Sequence, residues 1–141
     1  MDVKETDQLD KTYNDARLIR RHVFVAEQGI DEHDEFDGTD SQAVHFVAYV
    51  NSKPVATART TVTDEGVHIQ RVATEKKFRH SGYAKQLLRY ILNDDRFSKA
   101  SRFYLGAQET AVGFYKTLGF HTYGEPFMEV GIKHWQMSKS V

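Results

Sequence analysis

The stretch Arg71-Val-Ala-Thr-Glu-Lys-Lys-Phe-Arg-His-Ser-Gly-Tyr-Ala-Lys85 changes period partway along. Before it, Val67 to Ala73 alternates as a strand does. From Tyr83 the apolar side chains recur at Tyr83, Ala84, Leu87, Leu88, Ile91 and Leu92, one face of a helix over Tyr83 to Leu92. A basic loop joins the two and enters the helix through Ser81 and Gly82. Free N–H groups at a helix start, together with the helix dipole, attract phosphate. Gly82 lets backbone approach a bulky anion, Ala84 keeps the second approach point small, and Arg79 and Lys85 supply charge. No G-x-x-x-x-G-K-[ST] is present, which argues against a nucleoside-triphosphate loop. No G-x-G-x-x-G follows the first strand, which argues against a dinucleotide fold.

Working outward, Val44 to Val50 and Val55 to Val62 read as strands joined by the turn cluster Asn51-Ser52-Lys53-Pro54. Asp64-Glu65-Gly66 turns the chain into Val67 to Ala73, giving an antiparallel meander. Upstream, Asn14 is a candidate N-cap for a helix over Asp15 to Val25, with Leu18, Ile19, His22, Val23 and Ala26 on one stripe and Gly29 ending it. The first six residues read as a short strand, and the acidic stretch to Ser41 as a loop or irregular turn. Downstream, Phe103 to Ala107 is a strand and Thr110 to Leu118 a helix with Gly119 past its end. Phe120 to Tyr123 and Ile132 to Met137 are the last strands. The order predicts a mixed α/β sheet in one domain, residues 1–141.

Composition narrows the function classes. At 141 residues the chain is long enough for one unaided core. Without cysteine it has no disulfides, no Cys-ligated zinc and no thiol nucleophile. Nineteen Lys+Arg against twenty Asp+Glu leave a net charge of −1, so nothing draws the whole chain to nucleic acid or an anionic membrane. No apolar run reaches the ~20 residues of a membrane span, and a cytoplasmic setting is expected. Charge is uneven, however. Glu27, Asp31, Glu32, Asp34, Glu35, Asp37 and Asp40 form an acidic stretch, read as solvated surface or as a rim that attracts a cationic ligand. His33, His45, His68 and His134 lack the helical spacing of a zinc site, so no metal is expected.

Two ordered motifs carry a resemblance. Arg79-x-x-Gly82-x-Ala84 after a strand resembles the pyrophosphate loop of the GNAT superfamily of acyl-CoA-dependent N-acetyltransferases. Phe103-Tyr-Leu-Gly-Ala-Gln-Glu-Thr-Ala-Val-Gly-Phe-Tyr-Lys-Thr-Leu-Gly-Phe120 resembles the strand and A-x-x-F-Y-x-x-x-G-F helix of the same superfamily. Val23-Phe-Val-Ala-Glu-Gln-Gly29, Asp34-Glu-Phe-Asp37 and Gly124-Glu-Pro-Phe-Met-Glu-Val-Gly-Ile-Lys-His134 look like segments of its ElaA/YjcF-like branch, with Lys133 where that branch usually has proline. The likeness runs from about Ala16 to Met137.

That resemblance implies a GNAT fold: a mostly antiparallel twisted sheet, splayed between its fourth and fifth strands and flanked by helices. It implies acetyl-CoA as co-substrate, with the backbone of Arg71, Val72 and Ala73 along the pantetheine arm and a backbone N–H there as oxyanion donor, worth ~3 kcal/mol by analogy with other oxyanion holes. Arg79, His80, Ser81, Gly82, Tyr83, Ala84 and Lys85 would surround the pyrophosphate, with Phe114 and Gln108 near the cofactor. Tyr115 would protonate the leaving thiolate. His68 and Glu27 are the candidate bases, with an unaided water chain as the alternative. Phe24, Gln28, Gln70, Phe127, Glu129 and His134 are candidates for the acceptor pocket.

The implied activity is direct acetyl transfer to a primary amine of a small, cationic or amino-acid-like molecule, or to a protein lysine. No nucleic acid or membrane is involved, and homodimer pairing is open. The rival reading is a catalytically silent CoA-binding or sensing module, which would have no use for an acid at the sulfur.

Overall fold

The computed structural model describes residues 1–141. Its strands are β1 (Asp2–Thr6), β2 (Val44–Val50), β3 (Lys53–Thr63), β4 (Gly66–Thr74), β5 (Arg102–Gln108), β6 (His121–Glu129) and β7 (Ile132–Ser140). They form one sheet in the order β1-β2-β3-β4-β5-β7-β6, antiparallel throughout except where β4 meets β5. The helices are α1 (Lys11–Arg20), α2 (Glu32–Glu35), α3 (Tyr83–Leu92) and α4 (Val112–Lys116). Leu87, Leu88 and Ile91 of α3 pack on one sheet face with Phe46, Val67, Ile69 and Phe103. Ala16 and Ile19 of α1 cover the other face with Val47, Tyr49 and Ala73. The mixed α/β class and the splay are as expected.

The splay is sharp. β4 and β5 share two registered pairs, Val67 with Phe103 and His68 with Tyr104, and pairing stops there although both strands run on. The closure needs Gly66: a Cβ there would stand 2.3 Å from the carbonyl oxygen of Arg102, and its φ of +128° excludes other residues. On its other edge β4 carries a bulge, where the register with β3 shifts between Thr57 and Arg59 and Arg71 takes a left-handed φ of 56°.

Element boundaries moved where tertiary contacts outweighed local signals. The first helix starts at Lys11, not Asp15, because Asp10 rather than Asn14 caps it: its carboxylate accepts from the Tyr13 N–H at 3.1 Å and from Thr6 Oγ1 at 2.7 Å. After Arg20 it widens into a π-helix, Arg21–Glu27. Leu18, His22 and Ala26 stay exposed, while Arg20 and Phe24 turn inward. The expected helix at Thr110 is a 3₁₀ turn, Glu109–Ala111, followed by α4. β6 reaches Glu129 because its register skips across Gly124-Glu-Pro126 and resumes with Phe127 opposite His134. Lys133 keeps regular pairing with Met128, so the missing proline leaves the strand intact.

The acidic stretch is neither a loop throughout nor a free rim. It folds into α2 and a 3₁₀ turn, Asp40–Gln42, around two arginines that are each only 1% exposed. Arg20 grips Glu35 Oε2 at 2.7 Å and Asp40 Oδ1 at 2.9 Å, and Arg59 Nη1 reaches Asp40 Oδ1 at 2.9 Å. Arg71 Nε lies 3.2 Å from Glu35 Oε2, and Arg71 Nη2 lies 3.4 Å from Asp37 Oδ2. Glu32 pairs with Arg21, Glu27 with Arg79, and Asp31 caps α2. Of the seven acids only Asp34 keeps its carboxylate free. The expected attraction for a cation is thus largely cancelled within the fold.

Burial alone would raise the Asp40 carboxyl, but hydrogen bonds from Tyr13, Arg59 and Arg20 and the Arg20 charge bring it down to about 2. That depression corresponds to roughly 2 kcal/mol of stability, present above the unfolded value and lost as pH falls from about 4 toward 2. Asp40→Ala, which strips two buried guanidiniums of a shared counter-charge, is expected to cost ~3–5 kcal/mol in urea unfolding at neutral pH. Asp40→Asn should flatten the acid decline between pH 4 and 2. A wild-type-like decline in that variant would assign the acid sensitivity elsewhere.

Candidate active site

Where β4 and β5 part, a cavity of about 740 Å³ opens between Ile69–Thr74 and Leu105–Gln108. The π-helical end of α1 and the following loop border it through Val23, Phe24, Gln28 and residues 33–35. The β6–β7 hairpin closes it through Phe127, Glu129 and His134. The outer edge of β4 pairs with β3 and that of β5 with β7, so the edges facing the gap have no ladder partner beyond His68 and Tyr104. Such backbone groups must be satisfied, and an extended ligand carrying its own amides can complete both edges.

Of the residues singled out in the sequence, Tyr115, His68, Arg71, Val72, Ala73, Arg79, Gln108, Phe24, Gln28, Gln70, Phe127, Glu129 and His134 line this cavity. His80, Ser81, Gly82, Tyr83, Ala84 and Lys85 lie beyond it at the start of α3. Gly82, at φ 82°, is the N-cap and no side chain caps the helix, which leaves the N–H groups of Tyr83, Ala84 and Lys85 without helical partners. Phe114 does not line the cavity but packs edge-on against Tyr115, 5.1 Å between ring centres.

Arg79 links the loop to the cavity, and it already holds an anion. Its two η nitrogens donate to Glu27 at 2.5 and 2.6 Å, and its Nε donates to the Thr74 carbonyl at 3.0 Å. Glu27 therefore stands apart from the cavity in an ion pair, and the Arg79 hydrogen bonds hold its carboxyl below the usual range. A carboxylate so held is a poor proton acceptor. Beside it, Gln108 Nε2 donates to Gln28 Oε1 at 2.9 Å, so the end of the π-helix meets the far end of β5 directly and that of β4 through Arg79.

His68 stacks on Tyr104, ring centres 4.5 Å apart and 11° between planes. Burial lowers its pKa, the Arg59 and Arg71 charges add to that, and Glu129 opposes it, so the ring is neutral at neutral pH. Its nitrogens bond no protein group and are not sealed in. The Tyr115 hydroxyl, also free of protein partners, is pushed up by burial and stays protonated. His134 is fixed by a 2.7 Å contact from Nδ1, which must donate to the Ile132 carbonyl, and its Nε2 lies 3.7 Å from Glu129. A proton acceptor, a protonated phenol and unpaired backbone donors thus share one cavity. His33, His68 and His134 all line it, yet they form no metal-holding group.

Sequence reasoning missed Tyr104, Asp34 and Arg59. Tyr104 is set by its stacking on His68. Arg59 acts from beneath the cavity, its Nη2 donating to Gln70 Oε1 at 3.0 Å. Only the strand register, which sets Arg59 opposite Gln70, could have found it.

Residues 10–141 match the family model for an acetyltransferase (GNAT) domain. The chain is 32% identical over 131 residues to the uncharacterized N-acetyltransferase YjcF of Bacillus subtilis, covering 92% of this chain and 94% of that protein. The crystal structure of Escherichia coli ElaA superposes with a TM-score of 0.86 at 28% identity, over 99% of each chain. An acyl-CoA N-acyltransferase from Pseudomonas aeruginosa superposes at 0.87 and 25% identity, over 99% of this chain and all of the other.

Proposed function

The chain belongs to the GNAT family of acetyltransferases, and from that premise we propose that it moves an acetyl group from acetyl-CoA to the primary amine of a small acceptor by direct attack. The observation that carries this reading is the parted β4–β5 edge with a free, protonated Tyr115 in the same cavity. The unpaired edges suit the amides of a pantetheine arm. The open N–H groups of Tyr83, Ala84 and Lys85, with Arg79, suit its diphosphate.

In this reading the amine adds to the thioester carbonyl, forming the N–C bond and a tetrahedral oxyanion, whose collapse breaks the C–S bond and restores the carbonyl. His68, neutral because it is buried beside Arg59 and Arg71, takes the proton that the attacking amine loses. Tyr115, held protonated by burial, gives a proton to the departing thiolate. Backbone N–H groups freed by the bulge at Arg71 and Val72 supply the oxyanion donor. Glu27 takes no part in proton transfer. It occupies Arg79 until the diphosphate replaces it, an exchange that costs little because a half-exposed ion pair is worth at most ~1 kcal/mol.

Tyr115→Phe should lower kcat by ~10²-fold or more, the usual contribution of a general acid, with CoA affinity by calorimetry kept. Equal turnover would remove Tyr115 from the mechanism and favour the silent CoA-binding module. On the acid side kcat/KM should rise with pH through a value below 6.5, because only neutral His68 accepts a proton. In His68→Gln that limb should disappear. Glu27→Gln should keep the limb and bind CoA up to ~5-fold more tightly, the equivalent of the released ion pair. Loss of the limb in Glu27→Gln instead would make Glu27 the base.

A further inference from the structure

Acetyl transfer to an amine leaves one part of the cavity unexplained, the end formed by Gln70 and Arg71. A guanidinium only donates hydrogen bonds, so Arg59 Nη2, 3.0 Å from Gln70 Oε1, fixes the amide oxygen toward β3. Arg59 cannot swing away, being 1% exposed and bound to Asp40. The orientation of Gln70 follows: its Nε2 bonds no protein atom, is not sealed from solvent, and belongs to a residue that lines the cavity. Arg71, next in the chain, commits Nε and Nη2 to Glu35, Asp34 and Asp37, while its Nη1 bonds nothing. Two donors, one of them cationic, therefore face open space with no acceptor supplied by the protein.

The surrounding charge does not favour a cation at this end. Arg20, Arg59 and Arg71 face Glu35, Asp37 and Asp40, three charges against three. The balance is neutral, so the cluster leaves no net negative charge to draw a cation. The cavity's remaining carboxylates, Asp34 and Glu129, are exposed and screened by solvent, whereas Gln70 and Arg71 are half-buried.

We infer that the acceptor is an amino carboxylate, whose carboxylate oxygens bind Gln70 Nε2 and Arg71 Nη1 while its amine points toward His68. This rests on the acetyl-transfer reading and names the acceptor class for the same cavity. It sets aside polyamines, which bring only cations.

The test uses the full-length protein saturated with CoA, and matched sets of ligands. Each set holds a common α-amino acid or a short ω-amino carboxylate, its carboxamide, and the amine without the carboxyl group. Calorimetry reads binding, and free-thiol release from acetyl-CoA reads turnover. In at least one set the carboxylate should bind about tenfold or more tightly than its amide, the effect of a charge-assisted pair, and should turn over correspondingly better. Gln70→Glu still offers Arg59 an acceptor, so its melting temperature should hold. It presents a carboxylate to the cavity, and carboxylate binding should weaken at least about tenfold with CoA affinity unchanged. Arg71→Gln should weaken the carboxylate but not its amide. Equal binding and turnover of carboxylate, amide and plain amine in every set would overturn the inference while leaving acetyl transfer standing, and so would an unchanged carboxylate affinity in Gln70→Glu. Absence of CoA binding would overturn both readings.

Discussion

The parting of β4 from β5 is the constraint on which the rest of the molecule depends. A parallel pair joined at only two residue pairs leaves a row of unpaired N–H and C=O groups on each side of a gap, which a soluble sheet ordinarily pairs or covers. Both strands are kept apart by what holds their outer edges: β3 on one side and β7 on the other. Gly66 sets the near end by admitting the Arg102 carbonyl, and α3 and α4, following β4 and β5, pack on the resulting core. Once the strands are parted, the start of α3 and the side chains of Tyr115 and His68 are placed around a single space.

A second constraint sets the shape of the cavity at its Gln70–Arg71 end. Arg20 from α1, Arg59 from β3 and Arg71 from β4 converge on carboxylates of one short loop. Buried ion pairs add little net stability over apolar packing, because desolvation offsets their attraction, yet removing one partner is costly. Such a cluster therefore fixes geometry more than it stabilises the fold. It ties the loop carrying His33 and Asp34 to the strand carrying His68 and Gln70. Through Arg59 it also settles which end of the Gln70 amide meets the cavity.

What could be read from the sequence was what is locally encoded. The helix at Tyr83 was legible to the residue, because the change of period and the Gly82 cap both sit at its start. The strands of the meander were legible to within two residues. The choice of Asp10 over Asn14 as a cap was not, since Thr6 holds Asp10 from another element. Arg20 and Arg59 drew no notice in the sequence because their counter-charges lie at least fifteen positions away. Glu27 read as a candidate base, and its ion pair was not legible for the same reason: its partner Arg79 is 52 positions downstream. Among the site residues, the backbone-defined loop and Tyr115 could be located by motif. The use made of each carboxylate could not, because an acidic run looks alike whether it faces water or an arginine.

The two halves of the cavity hold their charges differently, and this bears on the order in which substrates are accommodated. At the loop end, Arg79 is paired with Glu27 across half-exposed surface, where a pair is weak and readily exchanged for a stronger anion such as a diphosphate. At the acceptor end, Arg59 is locked by buried partners and only the free donors of Gln70 and Arg71 remain. Glu27 and Gln28 are adjacent, and Gln28 also meets Gln108 at the end of β5. Displacing Glu27 therefore acts on the same π-helical end of α1 whose Phe24 and Gln28 border the cavity. In the proposed reaction, binding of the acyl donor at the loop would be felt by the acceptor through this turn, without any movement of the buried cluster. In that proposal the exchangeable ion pair and the fixed one would have separate tasks: the first would admit the donor, and the second would give the acceptor its orientation.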